Sequence, residues 1–186
     1  MEAIKSKHDK GLHSINFYFE DESRFGLYTR AGKSLTAKGV KPICIFQQVY
    51  KSTYLFGSFS PIDGSHFIQN YNKCTAENFQ NYLNSFSLIK PSELKVITLD
   101  NGAFHKAKKL IIPNNIVLIF LPPYSPELNP AERIWQTFKR EFTNENFKTM
   151  DELNYWLFGL YNNIDFQTVK STTCYEYIKT CSFWAE

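Results

Sequence analysis

Three acidic residues stand in contexts that could serve one chemistry: Asp21 in FYFEDES, Asp100 in VITLDNG and Glu132 in LNPAERIW. Carboxylates supply the hard oxygen ligands taken by Mg²⁺ and Mn²⁺, which leave positions open for water and phosphate oxygens. Three such groups drawn from separate segments could hold two ions roughly 3.5–4 Å apart, the arrangement for in-line displacement at phosphorus. Each acid also has a plainer account. FEDES could be a strand that ends in solvated acids, and Asp100 before Asn101-Gly102 could make an Asx turn. Glu132 could cap a helix, with Asn129 as N-cap, Pro130 at the first helical position and Glu132 at the third. Period-2 alternation sets Asp21 on the face of Phe17 and Phe19, and Glu20 and Glu22 on the face of Tyr18. Asp21 therefore continues a hydrophobic stripe.

The elements that must position these acids follow from local pattern. SINFYFEDESRFGLYTR alternates β-prone aromatics and has a polar turn near Ser23, which predicts two strands in a hairpin. KPICIFQQVYKSTYLFGSFS predicts a third strand, with a further short one around Tyr54 to Phe59. Thr75 is a plausible N-cap for a helix carrying Phe79, Tyr82, Leu83 and Phe86 at i, i+3, i+4 and i+7. LKVITLD and NIVLIF read as buried strands, with a short helix from about His105 to Leu110 between them. A last helix opens at the capping box Thr149-x-x-Glu152 with Leu153, Trp156, Leu157 and Leu160 on one face. Beyond Asn163 the pattern blurs. The order predicts an α/β fold, a mixed sheet flanked by helices, with ligands bound outside the carboxyl ends of strands.

One segment is over-built for a connector. LPPYSPELNP, residues 121–130, holds four of the chain's eight prolines and runs straight into the helix bearing Glu132. Proline fixes φ and removes a donor, so the segment is stiff. A capping glutamate would not require that stiffness; aiming a carboxylate would.

The 186 residues suit one domain, with 43% hydrophobic and 17% aromatic residues and no low-complexity stretch, repeat or linker. The net charge of +3 leans mildly toward polyanions. Cys44, Cys74, Cys174 and Cys181 have neither CxxC spacing nor nearby histidine pairs, and read as free thiols of a reducing compartment. The polar start MEAIKSKHDK and the lack of a long apolar run predict no signal peptide, no membrane and a cytoplasmic location.

FEDESRFGL, ITLDNGAFHK and LPPYSPELNPAERIWQTFKREF resemble the three motif blocks of DDE transposases of the mariner superfamily, nearest in pattern to its bacterial insertion-sequence branch, the IS-630 group. The third block is the most specific, and the three cover about residues 15 to 145. The resemblance implies an RNase H-like fold, with Asp21, Asp100 and Glu132 as the catalytic, metal-binding acids for Mg²⁺ or Mn²⁺, two ions in all. Between Asp100 and Glu132 lie 31 residues, slightly fewer than this group leads one to expect, and a shortened connector around IIPNN would absorb the difference. Asn101, His105 and Lys139 would stand behind the acids or against DNA. The tryptophan usual after the first block is missing from SLTAKGVKP, and Cys174 stands where a proline is typical.

The implied activity is cleavage of DNA at the ends of a mobile element followed by strand transfer into short TA targets. DNA, a homo-oligomer assembled on it and association with the bacterial nucleoid would follow. Members of the family usually begin with helix-turn-helix modules, whereas here residues 1–186 read as the catalytic domain alone, so a separate helix-turn-helix protein is an expected partner. Two other readings stay open: a truncated, non-catalytic remnant that binds DNA or a partner, and a stand-alone RNase H-like nuclease.

Overall fold

The computed structural model describes residue 12, residues 14–175 apart from 34, 42 and 44, and residue 178. Five strands, β1 (Ser14–Gly26), β2 (Ser52–Phe59), β3 (His66–Tyr71), β4 (Glu93–Leu99) and β5 (Ile116–Phe120), form one sheet in the order β3-β2-β1-β4-β5. The β1–β2 and β2–β3 pairs are antiparallel, and the β1–β4 and β4–β5 pairs are parallel. The sheet is mixed, as the element order predicts.

Strand alternation divides the core in two. On one face Phe19, Phe25, Leu55 and Phe59 pack against helices α2 (Ala131–Phe142), α3 (Met150–Asn162) and α4 (Phe166–Thr173). On the other face Tyr18, Phe56 and Ile97 pack against α1 (Ala76–Leu88) through Phe79, Tyr82, Leu83 and Phe86. The caps of α1 and α3 form at the expected residues: Thr75 accepts from the Asn78 amide and Thr149 from the Glu152 amide, both at 3.2 Å. The reciprocal half of the α3 box is displaced by one residue, since the Glu152 carboxylate accepts from the Lys148 amide at 2.8 Å.

Three expectations are corrected, and two elements are added. Residues 14–26 make one continuous strand and no hairpin, with Ser23 buried and paired with Leu55. Residues 20–25 around Ser23 hold no glycine, proline or asparagine to turn the chain, and the acids that look like a solvated turn face inward. Of the stretch 41–60, Ser52–Phe59 forms the strand β2, and the described residues before it form none; Pro42 and Cys44 lie outside the described residues. Residues 105–110 turn without forming a helix, because six residues cannot repay helix nucleation and the His105 side chain is held inward. The added strand β3 is an edge strand whose residues are all half-buried, so it carries no alternation to read. The added helix α4 is capped by Asp165, which accepts from the Thr168 amide at 2.7 Å.

Cys74 and Cys174 are free thiols, and Cys44 and Cys181 lie outside the described residues. Among the described residues no helix is long and apolar enough to cross a membrane.

The turn between β2 and β3 docks on α4 through Gly64. Its φ is +78°, and a Cβ there would lie 1.9 Å from the Phe166 carbonyl oxygen. Gly64→Ala is expected to combine left-handed strain with an overlap against backbone, at least about 2 kcal/mol. That corresponds to a fall in Tm of roughly 4–8 °C for a chain of this size, read by thermal melting. An unchanged Tm would show that the turn can leave α4 freely.

Candidate active site

The sheet register brings two of the acids together. The parallel β1–β4 ladder ends with Phe19 beside Thr98, and the same register continued two residues sets Asp21 beside Asp100. Asp100 follows the last residue of β4, as expected, but Asp21 lies within β1 and not at its end. On its other side Asp21 pairs with Gly57 of β2. A Cβ at Gly57 would lie 2.7 Å from ring carbons of Trp135 and Phe59. The bare glycine therefore lets α2 approach the sheet next to Asp21.

The proline segment places the third acid. A 3₁₀ turn, Pro126–Leu128, delivers the chain to Asn129, which is only 4% exposed. Asn129 Nδ2 donates to the Glu20 carbonyl at 2.8 Å, and its Oδ1 accepts from the Ala131 amide at 3.2 Å. One side chain thus ties the start of α2 to β1 next to Asp21. The helix begins at Ala131, with Pro130 at the cap position, so Glu132 falls one position earlier than the capping pattern predicts. The Asn129 amide, which a capping glutamate would have used, is given to the Pro126 carbonyl. Among the described residues the Glu132 carboxylate has no hydrogen-bond or ion-pair partner.

Asp21, Asp100 and Glu132 line one open cavity of about 470 Å³ together with Asn101, Gly102, Asn129 and the run from Leu121 to Pro126. Asn101 Nδ2 donates to the Leu121 carbonyl and its Oδ1 accepts from Lys106 Nζ, joining the β4 loop to the proline turn. Tyr124 on the rim is fully exposed with φ +59°, a left-handed backbone uncommon for a ring-bearing residue.

His105 is 3% exposed and lies behind Asp100. Its Nδ1 is 2.9 Å from Asp100 Oδ1, and its Nε2 is 2.8 Å from Glu22 and 3.6 Å from Glu20. Burial alone would lower its pKa, but the hydrogen bonds to Asp100 and Glu22 raise it to about 9. The same bond from His105 holds the Asp100 carboxyl below its ordinary range. The Gly102 amide also binds Asp100 Oδ1, at 2.7 Å, which leaves Oδ2 without a hydrogen-bond partner among the described residues. Asp21 behaves oppositely: burial, and next the charge of Glu132, push its carboxyl well above the usual range. An array of oxygen donors that repel one another in an open cavity fits a divalent cation, whose charge would reverse that shift.

Lys139, expected beside the acids or on DNA, lines a different groove with Arg24, Arg30 and Lys51, and none of these cations is ion-paired among the described residues. Glu20 and Glu22 were not expected to do more than share the Tyr18 face. With His105 they form the one group of three ligand-type residues, among those described, whose candidate atoms all lie within 4.8 Å of one another. Alternation in FEDES could have signalled their common face, but only the return of residue 105 shows what they meet.

The mixed five-stranded sheet, with Asp21 inside β1 and Asp100 just past β4, has the RNase H-like fold. Residues 16–154 match the family described as DDE superfamily endonuclease, and the chain belongs to that family. A curated relative, "Uncharacterized protein y4pE/y4sA" of Sinorhizobium fredii (strain NBRC 101917 / NGR234), is 35% identical over 102 residues, which is 54% of this chain and 76% of that protein. Among solved structures, "Crystal structure of the Mos1 mariner paired end complex with Mn" matches 97% of this chain and 58% of its own, with 18% identity and a TM-score of 0.66. "Crystal structure of the Mos1 Strand Transfer Complex" matches 99% and 56%, with 16% identity and a TM-score of 0.63. The chain thus spans a little over half the length of these solved transposases.

Proposed function

We propose that this chain is the catalytic domain of a DNA transposase of the insertion-sequence branch, cutting and joining strands at the ends of a mobile element. The observation that carries the reading is the convergence of Asp21, Asp100 and Glu132, from a strand, a strand end and a helix start, on one open cavity. These three acids are the proposed catalytic and metal-binding residues, and Mg²⁺ or Mn²⁺, two ions, the proposed cofactor. When bound, such ions stabilise the attacking and leaving oxygens of an in-line displacement at phosphorus.

The chain's own contribution is placement. The β1–β4 register fixes Asp21 beside Asp100, and the Asn129 tether fixes the start of α2. His105 is a positioning residue: it occupies Asp100 Oδ1 and leaves Oδ2 to the cavity. Asn101 holds the proline turn against the β4 loop. Lys139, with Arg24, Arg30 and Lys51, offers positive charge to DNA phosphates away from the cavity. The proposed partners are DNA, further copies of the chain assembled on it, and a separate helix-turn-helix protein that supplies sequence recognition; the proposed location is the cytoplasm, on the nucleoid.

Two assays test this. Nicking of supercoiled DNA by the purified chain should require Mg²⁺ or Mn²⁺ and stop with EDTA; undiminished nicking in EDTA would remove the proposed chemistry. Phosphate contacts give affinity without sequence choice and weaken steeply with salt. At fixed salt, an inverted-repeat duplex and a scrambled one should therefore compete equally for the chain alone. Strong preference for the repeat would show a recognition element within these 186 residues.

A further inference from the structure

We propose that Glu20, Glu22 and His105 form a buried site for one divalent transition-metal cation of the zinc type, separate from the Asp21–Asp100–Glu132 cavity. The two sets lie on opposite faces of β1. Glu20 and Glu22 share the α1 face with Tyr18, whereas Asp21 shares the α2 face with Phe19. The three candidate ligand atoms already lie within 4.8 Å of one another. The walls are dry, with the rings of Phe104 and Phe79 centred 4.1 and 4.6 Å from the imidazole. The Glu22 side chain, 12% exposed, is the least enclosed of the three.

The decisive group is Glu20. It is 0% exposed; His105 Nε2 stands 3.6 Å from Oε2, and neither carboxylate oxygen has a hydrogen-bond partner among the described residues. Histidine cannot supply one. Each ring nitrogen carries at most one proton; that of Nδ1 is directed to Asp100 and that of Nε2 to Glu22. Buried carboxylates are otherwise found paired or coordinating a metal. A divalent cation between Glu20, Glu22 and Nε2 satisfies both oxygens and balances the two negative charges.

The outer arrangement is also that of a metal ligand. A histidine bound through one nitrogen commonly donates its other N–H to a carboxylate, which fixes tautomer and ring orientation. Nδ1 at 2.9 Å from Asp100 Oδ1 is in that position. One imidazole with two carboxylates suits Zn²⁺ or Co²⁺, whereas Mg²⁺ prefers oxygen alone. The cation would thus stand behind Asp100 and hold it in place through His105.

The proposal does not rest on the transposase reading, and its test reads metal, not cleavage. Chelator-stripped protein is loaded with Zn²⁺ or Co²⁺, dialysed against excess Mg²⁺, and assayed for retained metal and for visible Co²⁺ absorption. Wild type and Glu132→Gln should each keep one equivalent, and the Co²⁺ form should shift an imidazole N–H resonance far downfield. Glu20→Gln and His105→Gln should lose it, with affinity down by at least the roughly 10–100-fold seen when an outer-shell partner is removed. Equal retention in Glu20→Gln, or loss in Glu132→Gln with retention in Glu20→Gln, would place the ion elsewhere and overturn the site. Should the variants not fold, the wild type decides: no retained equivalent or no shifted imidazole resonance overturns it as well.

Discussion

Glu132→Gln is expected to melt within a degree or two of the parent and to lose cleavage by orders of magnitude. The side chain keeps its size, and no hydrogen bond is lost, since none is made by the Glu132 carboxylate among the described residues. What disappears is charge. A neutral amide binds a divalent cation far less well than a carboxylate, and on the proposed assignment the cavity then holds only Asp21 and Asp100. Asp21→Ala and Asp100→Ala should abolish metal-dependent nicking in the same assay. The rival account, a glutamate that only stabilises the start of α2, predicts little change in either measurement. Parent-level cleavage by Glu132→Gln would settle the matter for that account.

Asn129→Ala is expected to lower stability and cleavage together. Two bonds go at once: the cap to the Ala131 amide, about 0.5–2 kcal/mol, and the buried tether, whose loss leaves the Glu20 carbonyl short of a partner at about 1–3 kcal/mol. A total of about 1.5–5 kcal/mol lowers Tm by roughly 3–20 °C. Cleavage should fall further than the folded fraction, because Glu132 is then free to drift from Asp21. Asn129→Ser separates the two jobs. Serine caps well but cannot reach β1, so melting should recover in part and cleavage should not. A serine variant that cleaves like the parent would mean that the proline turn aims nothing.

Much of this architecture was readable from pattern. The strands at 93–99 and 116–120 and the helices at 76–88 and 150–162 stood out because their apolar residues have one buried face or two. The β1 hairpin was misread because Glu20, Glu22 and Ser23 look solvated, and nothing local reveals that His105 returns from 83 residues away to cover Glu22. β3 and α4 escaped for the opposite reason: their sequences are too evenly half-buried or too short to show a period. The convergence of Asp21, Asp100 and Glu132 could be anticipated from three separated blocks. The cluster on the far face could not, since it depends on a tertiary contact between β1 and the loop after β4.

The back-to-back acids of FEDES also limit how this chain can vary. Side chains on a strand alternate, so deleting or inserting one residue early in β1 would exchange the two faces wholesale. Glu20 and Glu22 would turn toward Trp135, and Asp21 would turn toward Phe79 and His105. Substitutions in β1 can be absorbed one at a time, but a change of length cannot, because it trades both carboxylate sets and both halves of the core in a single event. Drift in length is therefore confined to connectors such as residues 27–51 and 107–115, which can lengthen or shorten while the ladder between Asp21 and Asp100 keeps count.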